Sequence, residues 1–368
     1  MVERTSHCEF LDGKVLLHVG DSRDVLRAMP ESSIDSVVCD PPYGLNFMGR
    51  AWDASDGAPF AAEFWAEALR VLKPGGHLVA FSGTRTYHRM ACAIEDAGFE
   101  IRDQIGWTYG SGFPKSHNIG DGWGTALKPA WEPICLARKP LTGTVAANVL
   151  EHRTGALNID DCRIEGQDAQ EGRTRHGGGD KWEGSGFRDR SAPMPAGRWP
   201  ANIVHDGSEE VLKAFPDAGG GFGKRGAGGQ NGIYSAIGGT MQEVGFGDEG
   251  SAARFFYTAK ADAEDRLGSK HPTVKPLDLM QWLVRLVTPK GGIVLDPFAG
   301  TGTTGEAAWR EGMRAVLIER EPEYQADIAR RMELADKPTK RTAVAKSKNK
   351  LQKPEDLPLF SITTTEAS

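Results

Sequence analysis

Four short apolar runs, each ending on an acid, constrain the fold of this chain more than any other feature. Two lie near the amino end, "KVLLHVGD" and "SIDSVVCD", and two near the carboxyl end, "GGIVLDP" and "AVLIERE". Runs of this length and composition predict buried strands. Between them, "PFAAEFWAEALRVL" repeats apolar residues with a helical spacing and stops at "KPGG". This alternation predicts an α/β fold with a doubly wound, mostly parallel sheet.

The composition limits the settings in which the chain can act. Its 368 residues are 39% hydrophobic and its formal net charge is −6, so a nucleic-acid contact requires a local basic patch or a narrow site. The five cysteines are scattered without a CxxC pair, which indicates a reducing compartment and predicts no metal site. No run approaches about 18 consecutive apolar residues. We therefore expect a cytoplasmic protein without membrane contact.

Residues 141–255 differ from the segments on either side. Between Gly166 and Gly250 lie 22 of the 46 glycines, interleaved with basic and aromatic residues. Either this is a flexible insertion, or it is a Gly-rich inserted lobe that becomes ordered on a polyanion. Candidate contacts to phosphate or guanine are Arg173, Arg175, Lys181, Arg188, Arg190 and Arg198. A solvated charged loop explains them equally well. Within this region "GRWPANIVHDG" predicts a strand with Trp199 packed as an anchor.

The segment "VVCDPPYG", residues 37–44, ends a predicted strand on a rigid turn. Asp40 stands where the strand emerges. Pro41 and Pro42 then fix φ and donate no backbone hydrogen bond, so the chain cannot continue in the sheet. Tyr43 follows at a turn. We call residues 40–44 the elbow, and we expect it to hold a carboxylate, exposed carbonyls and a flat ring together.

A glycine-rich loop lies near the carboxyl end. "GTGTTG", residues 300–305, fits G-x-G-x-x-G between a strand and a helix, and Glu319 ends the next strand. Nicotinamide, flavin and S-adenosylmethionine sites share this pattern, in which the acid binds ribose hydroxyls. Glu306 stands where a phosphate loop requires lysine, which disfavours an ATPase. Asp296 and Phe298 favour S-adenosylmethionine, because a carboxylate repels a pyrophosphate but suits a sulfonium cofactor.

Three motifs together resemble one family. "DPPYG" (40–44), "HPTVKP" (271–276) and "LDPFAGTGTT" (295–304) are similar to motifs of the amino-directed DNA methyltransferases, which modify adenine N6 or cytosine N4. The elbow precedes the glycine loop, an order that resembles the permuted β class, in which the target-recognition region lies between the two. The resemblance covers about residues 14–140 and 265–333.

The resemblance and the composition together divide the chain into four regions. They are a catalytic half (1–140), an inserted target-recognition region (141–255), a half that binds S-adenosylmethionine (256–335) and a disordered basic tail (336–368).

The resemblance implies a role for each residue of the elbow. Asp40 and the carbonyl of Pro41 accept the two hydrogens of the target amino group, and Pro42 stiffens the turn. Tyr43 stacks on the base after it is flipped out of double-stranded DNA, since a stacked and paired amino group is out of reach. No covalent nucleophile is then needed, because positioning and electrostatics supply most of the rate increase.

The same resemblance implies a set of residues that bind S-adenosylmethionine. They are Asp21, Thr273, Lys275, Asp296, Phe298, Gly300, Gly302, Thr303, Thr304 and Glu319. Asp21 is expected at the adenine of the cofactor, Glu319 at the ribose hydroxyls, and Thr273 and Lys275 near the methionine moiety. A helix N-cap is the alternative for Asp21, and a surface cation at a helix start is the alternative for Lys275.

Adenine N6 is the expected target atom. The resemblance links Asp at the first elbow position to adenine and Ser to cytosine N4, and Asp40 stands at that position. Cytosine-N4 methylation is the alternative in chemistry. A catalytically idle DNA-binding regulator with the same fold and a nicotinamide-dependent enzyme are the alternatives of other classes.

Two further segments carry predictions about partners. "GWTYGSGFPKSHNIG", residues 106–120, is either a loop that closes over the flipped base or a plain surface turn. In the tail, "DLPLF", Asp356 to Phe360, resembles the short peptides that dock on bacterial sliding clamps, and folding back on the chain's own surface is the alternative. A homodimer is left open.

Overall fold

The structure is a computed structural model. It describes residues 7–45, 57–112, 116–164, 197–218, 250–259, 263–269, 271 and 273–336. The strands in these ranges are β1 (His7–Phe10), β2 (Val15–Val19), β3 (Ile34–Cys39), β4 (Leu72–Phe81), β5 (Glu100–Thr108), β6 (Asn118–Gly120), β7 (Trp123–Gly124), β8 (Trp131–Arg138), β9 (Ile203–His205), β10 (Asp217–Ala218), β11 (Gly250–Ser251), β12 (Tyr257–Thr258), β13 (Ile293–Asp296) and β14 (Arg314–Glu319). The α-helices there are α1 (Ser22–Ala28), α2 (Ala62–Val71), α3 (Tyr87–Asp96), α4 (Val145–His152), α5 (Glu209–Ala214), α6 (Leu277–Val287), α7 (Thr303–Arg310) and α8 (Pro322–Ala335).

Ten of the described strands form one sheet, in the order β1-β2-β14-β13-β3-β4-β8-β5-β9-β12. Its central run β2-β14-β13-β3-β4 is parallel throughout, and β8 is antiparallel to both of its neighbours. The expected α/β fold with a mostly parallel, doubly wound sheet is confirmed. From β13 the chain proceeds to β14 on one side, and from β3 it proceeds to β4 on the other. The strand order therefore reverses between β13 and β3, where open sheets of this kind form a crevice.

Helices cover both faces of the sheet, and the strands alternate between two apolar cores. In β3, Val38 packs into the core beneath α6, α7 and α8, whereas Val37 and Cys39 pack into the core beneath α1, α2 and α3. This is the period-two alternation of a strand that is buried on both faces. The apolar runs of the sequence are continuous because neither face of the central strands meets water.

One boundary differs from the sequence pattern. The sequence pattern ends a helix at "KPGG" and predicts a break there, but β4 begins directly after α2, at Leu72, and includes these residues. The pairing of β3 with β4 is irregular at this point. Ile34 pairs with Leu72, but Ser36, two residues later in β3, pairs with His77, five residues later in β4. The additional residues of β4 bulge out of the ladder, where proline and glycine are tolerated.

One described strand of 141–255 joins the main sheet. β9 pairs in parallel with β5, and β12, which follows this region, pairs with β9 and forms the edge of the sheet. "GRWPANIVHDG" does form the expected strand, β9. The expectation that Trp199 packs as an anchor is wrong: the residue is 62% exposed, and its ring contacts the guanidinium of Arg163 at 5.4 Å.

Several predictions fall outside the described residues. They concern Arg173, Arg175, Lys181, Arg188 and Arg190 in the glycine-rich segment, Lys115 in the loop 106–120, and Asp356 to Phe360 in the tail. Within the described ranges, no helix combines the length and apolarity that crossing a membrane requires.

A buried arginine ties α8 to the glycine loop. Arg331 is 2% exposed. Its Nε donates to the carbonyl of Thr301 at 2.7 Å, and its Nη1 pairs with a carboxylate oxygen of Glu306 at 2.8 Å. Its remaining nitrogen donates to the carbonyl of Asp265 at 2.5 Å. A single side chain thus satisfies three buried acceptors, and it fixes the loop backbone from below.

Replacing this arginine is expected to destabilise the protein. Arg331→Met leaves buried acceptors without a donor and should lower the free energy of unfolding by about 3 kcal/mol, measured by urea denaturation. Arg330→Met is the matched control, because Arg330 precedes it on the same helix and its side chain is 46% exposed. The control should change the free energy by less than about 0.5 kcal/mol. Equal losses in the two variants would contradict the assigned role.

Candidate active site

A cavity of about 1230 Å³ opens at the carboxyl edge of the sheet, at the point where the strand order reverses. The elbow lines one wall, and the glycine loop with the end of β14 lines another. Asp40 and Phe298, which are far apart in the sequence, therefore face the same space. Of the predicted catalytic and cofactor-binding residues, all except Gly302 line this cavity.

The elbow is held by side chains instead of sheet hydrogen bonds. The hydroxyl of Tyr43 donates to Oδ1 of Asp40 at 3.0 Å, or to Oε2 of Glu132 at 3.1 Å. The hydroxyl of Thr86 donates to the carbonyl of Tyr43 at 2.7 Å. These contacts, together with the two fixed proline φ angles, orient the carboxylate of Asp40 toward the cavity. The sequence expectation that the elbow presents a carboxylate beside a ring agrees with this geometry.

Lys275 lies against the elbow. Its Nζ donates to Oδ2 of Asp40 at 2.8 Å and to the hydroxyl of Tyr43 at 3.0 Å, and it pairs with Oε2 of Glu132 at 3.2 Å. The ammonium also lies 4.9 Å from the ring centroid of Phe81. Lys275 is only 5% exposed, so the alternative of a surface cation is wrong.

Burial and pairing act in opposite directions on the charges of this cluster. Burial alone lowers the pKa of Lys275, but the carboxylates of Asp40 and Glu132 outweigh it and raise that pKa above its usual value. Burial, together with the same two carboxylates, raises the pKa of Tyr43 well above its usual value. The cluster thus combines a protonated Lys275 and a protonated Tyr43 with the two acidic side chains, and its formal net charge is −1.

The glycine loop turns the chain from β13 into α7 within a few residues. Gly300 has φ +52° and Gly302 has φ +77°, and residues with a Cβ rarely adopt such values. A Cβ at Gly302 would also lie 3.1 Å from the side chain of Ile328 in α8. The loop thus presents bare backbone to the cavity, and Thr303 begins the helix beside it.

Asp296 anchors the loop from inside. Oδ1 accepts from the backbone N–H of Phe298 at 3.0 Å, and Oδ2 accepts from the hydroxyl of Thr304 at 2.5 Å. Burial raises the pKa of Asp296 to about 7, although both hydrogen bonds oppose the shift. Phe298 packs against Phe64, with ring centroids 5.1 Å apart, and so closes the wall of the cavity.

Glu319 faces the loop from the end of β14. Oε2 accepts from the N–H of Gly300 at 2.8 Å, and Oε1 accepts from the N–H of Glu321 at 2.8 Å. Burial raises its pKa against these bonds. Each oxygen uses one lone pair in this way, and each therefore keeps another for a ligand hydroxyl.

Asp21 and Thr273 lie toward the rim of the cavity. Asp21 is the N-cap of α1 and accepts from the N–H of Arg23 at 2.9 Å, as the helix-cap alternative proposed. The Arg23 guanidinium also holds the pKa of Asp21 below its usual value. Thr273 is exposed and hydrogen-bonds through its backbone to the ring of His271.

Sequence reasoning missed Glu132. This residue lies at the beginning of β8, and the predictions looked for acids at the ends of strands. Because β8 runs antiparallel to β4, its first residues lie at the same edge as the carboxyl ends of the parallel strands. In the sequence, Glu132 is only an acid near the start of an apolar run. The sequence does not show that this strand runs antiparallel, which is what brings Glu132 to the site.

Comparison with known proteins shows the family and the fold. A family model described as DNA methylase, of the N6/N4 methyltransferases, matches residues 34–330. The type II methyltransferase M.HindIII of Haemophilus influenzae is 23% identical over 348 residues, with 79% of this chain and 86% of that protein covered. The DNA adenine methyltransferase YhdJ of Escherichia coli is 24% identical over 335 residues, with 88% and 84% covered. Among solved structures, the cytosine-N4-specific PvuII DNA methyltransferase has the same fold, with a TM-score of 0.53 at 18% identity over 93% of this chain and 95% of that one.

A side chain at Gly302 is expected to disturb the loop. Gly302→Ala combines the left-handed backbone with a clash against Ile328 and should cost about 2–4 kcal/mol in the free energy of unfolding. Gly312→Ala is the matched control, because Gly312 has the same φ of +77° and open space around it. The control should cost about 1 kcal/mol, and urea denaturation measures both. A control as damaging as Gly302→Ala would show that the clash is unimportant.

Proposed function

The chain belongs to the DNA methylase family of N6/N4 methyltransferases, and we propose that it transfers a methyl group from S-adenosylmethionine to N6 of an adenine flipped out of double-stranded DNA. One observation carries the proposal: the elbow and the glycine loop, more than 250 residues apart, line a single cavity. Methylation of an amino group requires an acceptor for its hydrogens and a methyl donor in one enclosed space. The cavity offers a wall for each.

The residues of the cavity fit the cofactor. S-adenosylmethionine, the methyl donor of this family, supplies a methyl group on a positively charged sulfur. Six acidic side chains line the cavity, as do five from arginine and lysine. The two acids on the wall of the glycine loop, Asp296 and Glu319, favour a cationic ligand over a pyrophosphate there. Glu319 keeps lone pairs for ribose hydroxyls, and the loop at Gly300 allows a ligand to approach the backbone. This supports the cofactor residues proposed from the sequence and disfavours a nicotinamide enzyme.

The elbow supplies the chemistry at the target. Asp40 and the carbonyl of Pro41 accept the amino hydrogens, which concentrates electron density on the nitrogen and orients its lone pair. Pro42 keeps the two acceptors at a fixed separation, and the ring of Tyr43 offers a stacking surface for the base. Asp40 would also accept the proton that the methylated amino group must lose. Preorganised acceptors of this kind lower the barrier without a covalent intermediate.

A hairpin at the mouth of the cavity supports the contact with DNA. β6 and β7 form it, and the residues that follow, from Thr125 to Glu132, line the cavity. Three large apolar side chains in or next to this hairpin are exposed to solvent. Their exposed fractions are 69% for Ile119, 72% for Trp123 and 92% for Leu127. Exposed apolar groups beside a site mark an interaction surface, and a base stack with one base extruded is a fitting partner.

Nucleoside analysis tests the function directly. The purified protein, incubated with S-adenosylmethionine and genomic DNA lacking modification, should produce N6-methyldeoxyadenosine detectable by mass spectrometry. Asp40→Ala should reduce methyl transfer by at least about 10³-fold and bind S-adenosylmethionine within about two-fold of wild type, since it removes an acceptor needed only at the target. Asp24→Ala, at an exposed aspartate of α1, is the control.

The outcomes of this experiment are distinct. N4-methyldeoxycytidine in place of the adenine product would transfer the proposal to cytosine N4. No methylated nucleoside with any DNA would leave a DNA-binding regulator as the better description. Turnover retained in Asp40→Ala would overturn the role of the elbow.

Glu319 is expected to contribute to the binding of S-adenosylmethionine and not to the binding of the target base. Glu319→Gln removes a charged acceptor from the cavity and should weaken the binding of S-adenosylmethionine by about 10-fold, measured by isothermal titration calorimetry. Glu209→Gln, whose side chain is 86% exposed on α5, is the control and should bind as wild type does. Unchanged affinity in Glu319→Gln would mean that the ribose lies elsewhere.

A further inference from the structure

One buried lysine is shared between two carboxylates at the elbow. Nζ of Lys275 lies 2.8 Å from Oδ2 of Asp40 and 3.2 Å from Oε2 of Glu132. Oδ1 of Asp40 lies within hydrogen-bond distance of the Tyr43 hydroxyl, so both oxygens of this carboxylate have a partner. Side-chain exposure is 6% for Lys275, 19% for Asp40 and 17% for Glu132. Because Lys275 is buried and both of its partners are half-buried, this arrangement is not an ordinary surface ion pair.

The proposed reaction creates a competition for Asp40. The target amino group must donate to this carboxylate, and it is a neutral donor, whereas Lys275 is a charged one. Charge-assisted hydrogen bonds are roughly twice as strong as neutral ones, so the amino group alone displaces the ammonium poorly. If the Lys275 ammonium leaves Asp40 while it stays buried, it needs another anion, because an unpaired buried charge raises the free energy of the protein.

Glu132 is placed to resolve this competition. Its Oε2 already lies within ion-pair distance of Nζ, and it accepts from the Tyr43 hydroxyl at 3.1 Å as an alternative to Asp40. A small movement of Lys275 and Tyr43 toward Glu132 would therefore free lone pairs on both oxygens of Asp40. The movement keeps the ammonium paired with a carboxylate, and the hydrogens of the target amino group replace the partners that Asp40 loses.

We propose that Glu132 is a positioning residue that takes Lys275, and with it the Tyr43 hydroxyl, when the amino group of the target base binds Asp40. This inference rests on the proposed function and extends it to a residue outside the elbow and the glycine loop. Glu132 touches neither the base nor the methyl donor in this scheme. It acts through Lys275 by giving the ammonium a second place to bind.

The charges of the cluster predict that two single variants lose activity for opposite reasons. Glu132→Gln leaves Lys275 with Asp40 as its only anionic partner, so the ammonium competes with the target. Lys275→Met leaves Asp40 and Glu132 without a cation, and like charges that share the Tyr43 hydroxyl as a partner favour protonation of one of them. The double variant Glu132→Gln/Lys275→Met restores a single unopposed carboxylate at Asp40. Its cluster has the same net charge, −1, as the wild type.

Steady-state methylation separates these cases. The rate constant kcat is measured at saturating S-adenosylmethionine on an oligonucleotide that carries the site methylated by the wild type. Glu132→Gln should lower kcat about 10- to 100-fold, which is the effect of one hydrogen bond to a charged group. The double variant should exceed Glu132→Gln in kcat. Glu67→Gln, which removes the partner of Arg70 on α2, is the matched control and should match the wild type.

A binding measurement distinguishes positioning from a merely structural role. The wild type should bind an oligonucleotide with adenine at the target more tightly than one with purine, which lacks the amino group, and Glu132→Gln should lose this preference. Thermal unfolding and the dissociation constant of S-adenosylmethionine are measured for each variant, so that folding and cofactor effects are separated.

Each outcome decides the inference. A Glu132→Gln variant with wild-type kcat overturns it, and so does a double variant whose kcat equals or falls below that of Glu132→Gln. If Glu132→Gln does not fold, the comparison moves to Lys275→Met, whose kcat the double variant must exceed. A wild type that methylates no DNA defeats the proposed function instead, so the two failures are distinguishable.

Discussion

The parallel pairing of β13 with β3 is the interaction on which the rest of this structure depends. Val294 pairs with Ser36 and Leu295 with Val37, although more than 250 residues separate the strands. Both strands release the chain at the same edge, so the elbow and the glycine loop face one crevice. Their following helices cover opposite faces of the sheet, which keeps the crevice open. Buried polar contacts reinforce the pairing, among them the carboxylate of Asp35, which accepts from the N–H of Ile293 at 2.8 Å.

Burial then decides the chemistry of the crevice. A carboxylate at the end of a central strand is partly removed from water and needs partners, which backbone amides, hydroxyls and one lysine provide. At Glu319 the partners are two N–H groups, and at Asp296 they are an N–H and a hydroxyl. At Asp40 they are a cation and a phenol. The loop acids are therefore fixed in place, whereas the partners of Asp40 can exchange with Glu132.

The edge of the sheet links the crevice to the region between the two motif-bearing halves. β9 pairs with β5, and β5 leads into the loop and hairpin at the mouth of the cavity. One strand of the described part of 141–255 is thus paired into the sheet that holds the site.

The sequence by itself determined the local features: the central strands with their acids, the elbow, the glycine loop and the helices around them. These follow from periodicity, from the fixed φ of proline and from the freedom of glycine, all of which act within a few residues. The tertiary structure decided which distant residues meet. Because β8 is antiparallel, Glu132 lies beside the elbow. Lys275 is buried against Asp40 and is not a surface cation, and Trp199 is exposed and is not a packed anchor. Such outcomes depend on strand order and direction, which are properties of the whole sheet and leave no local mark in the chain.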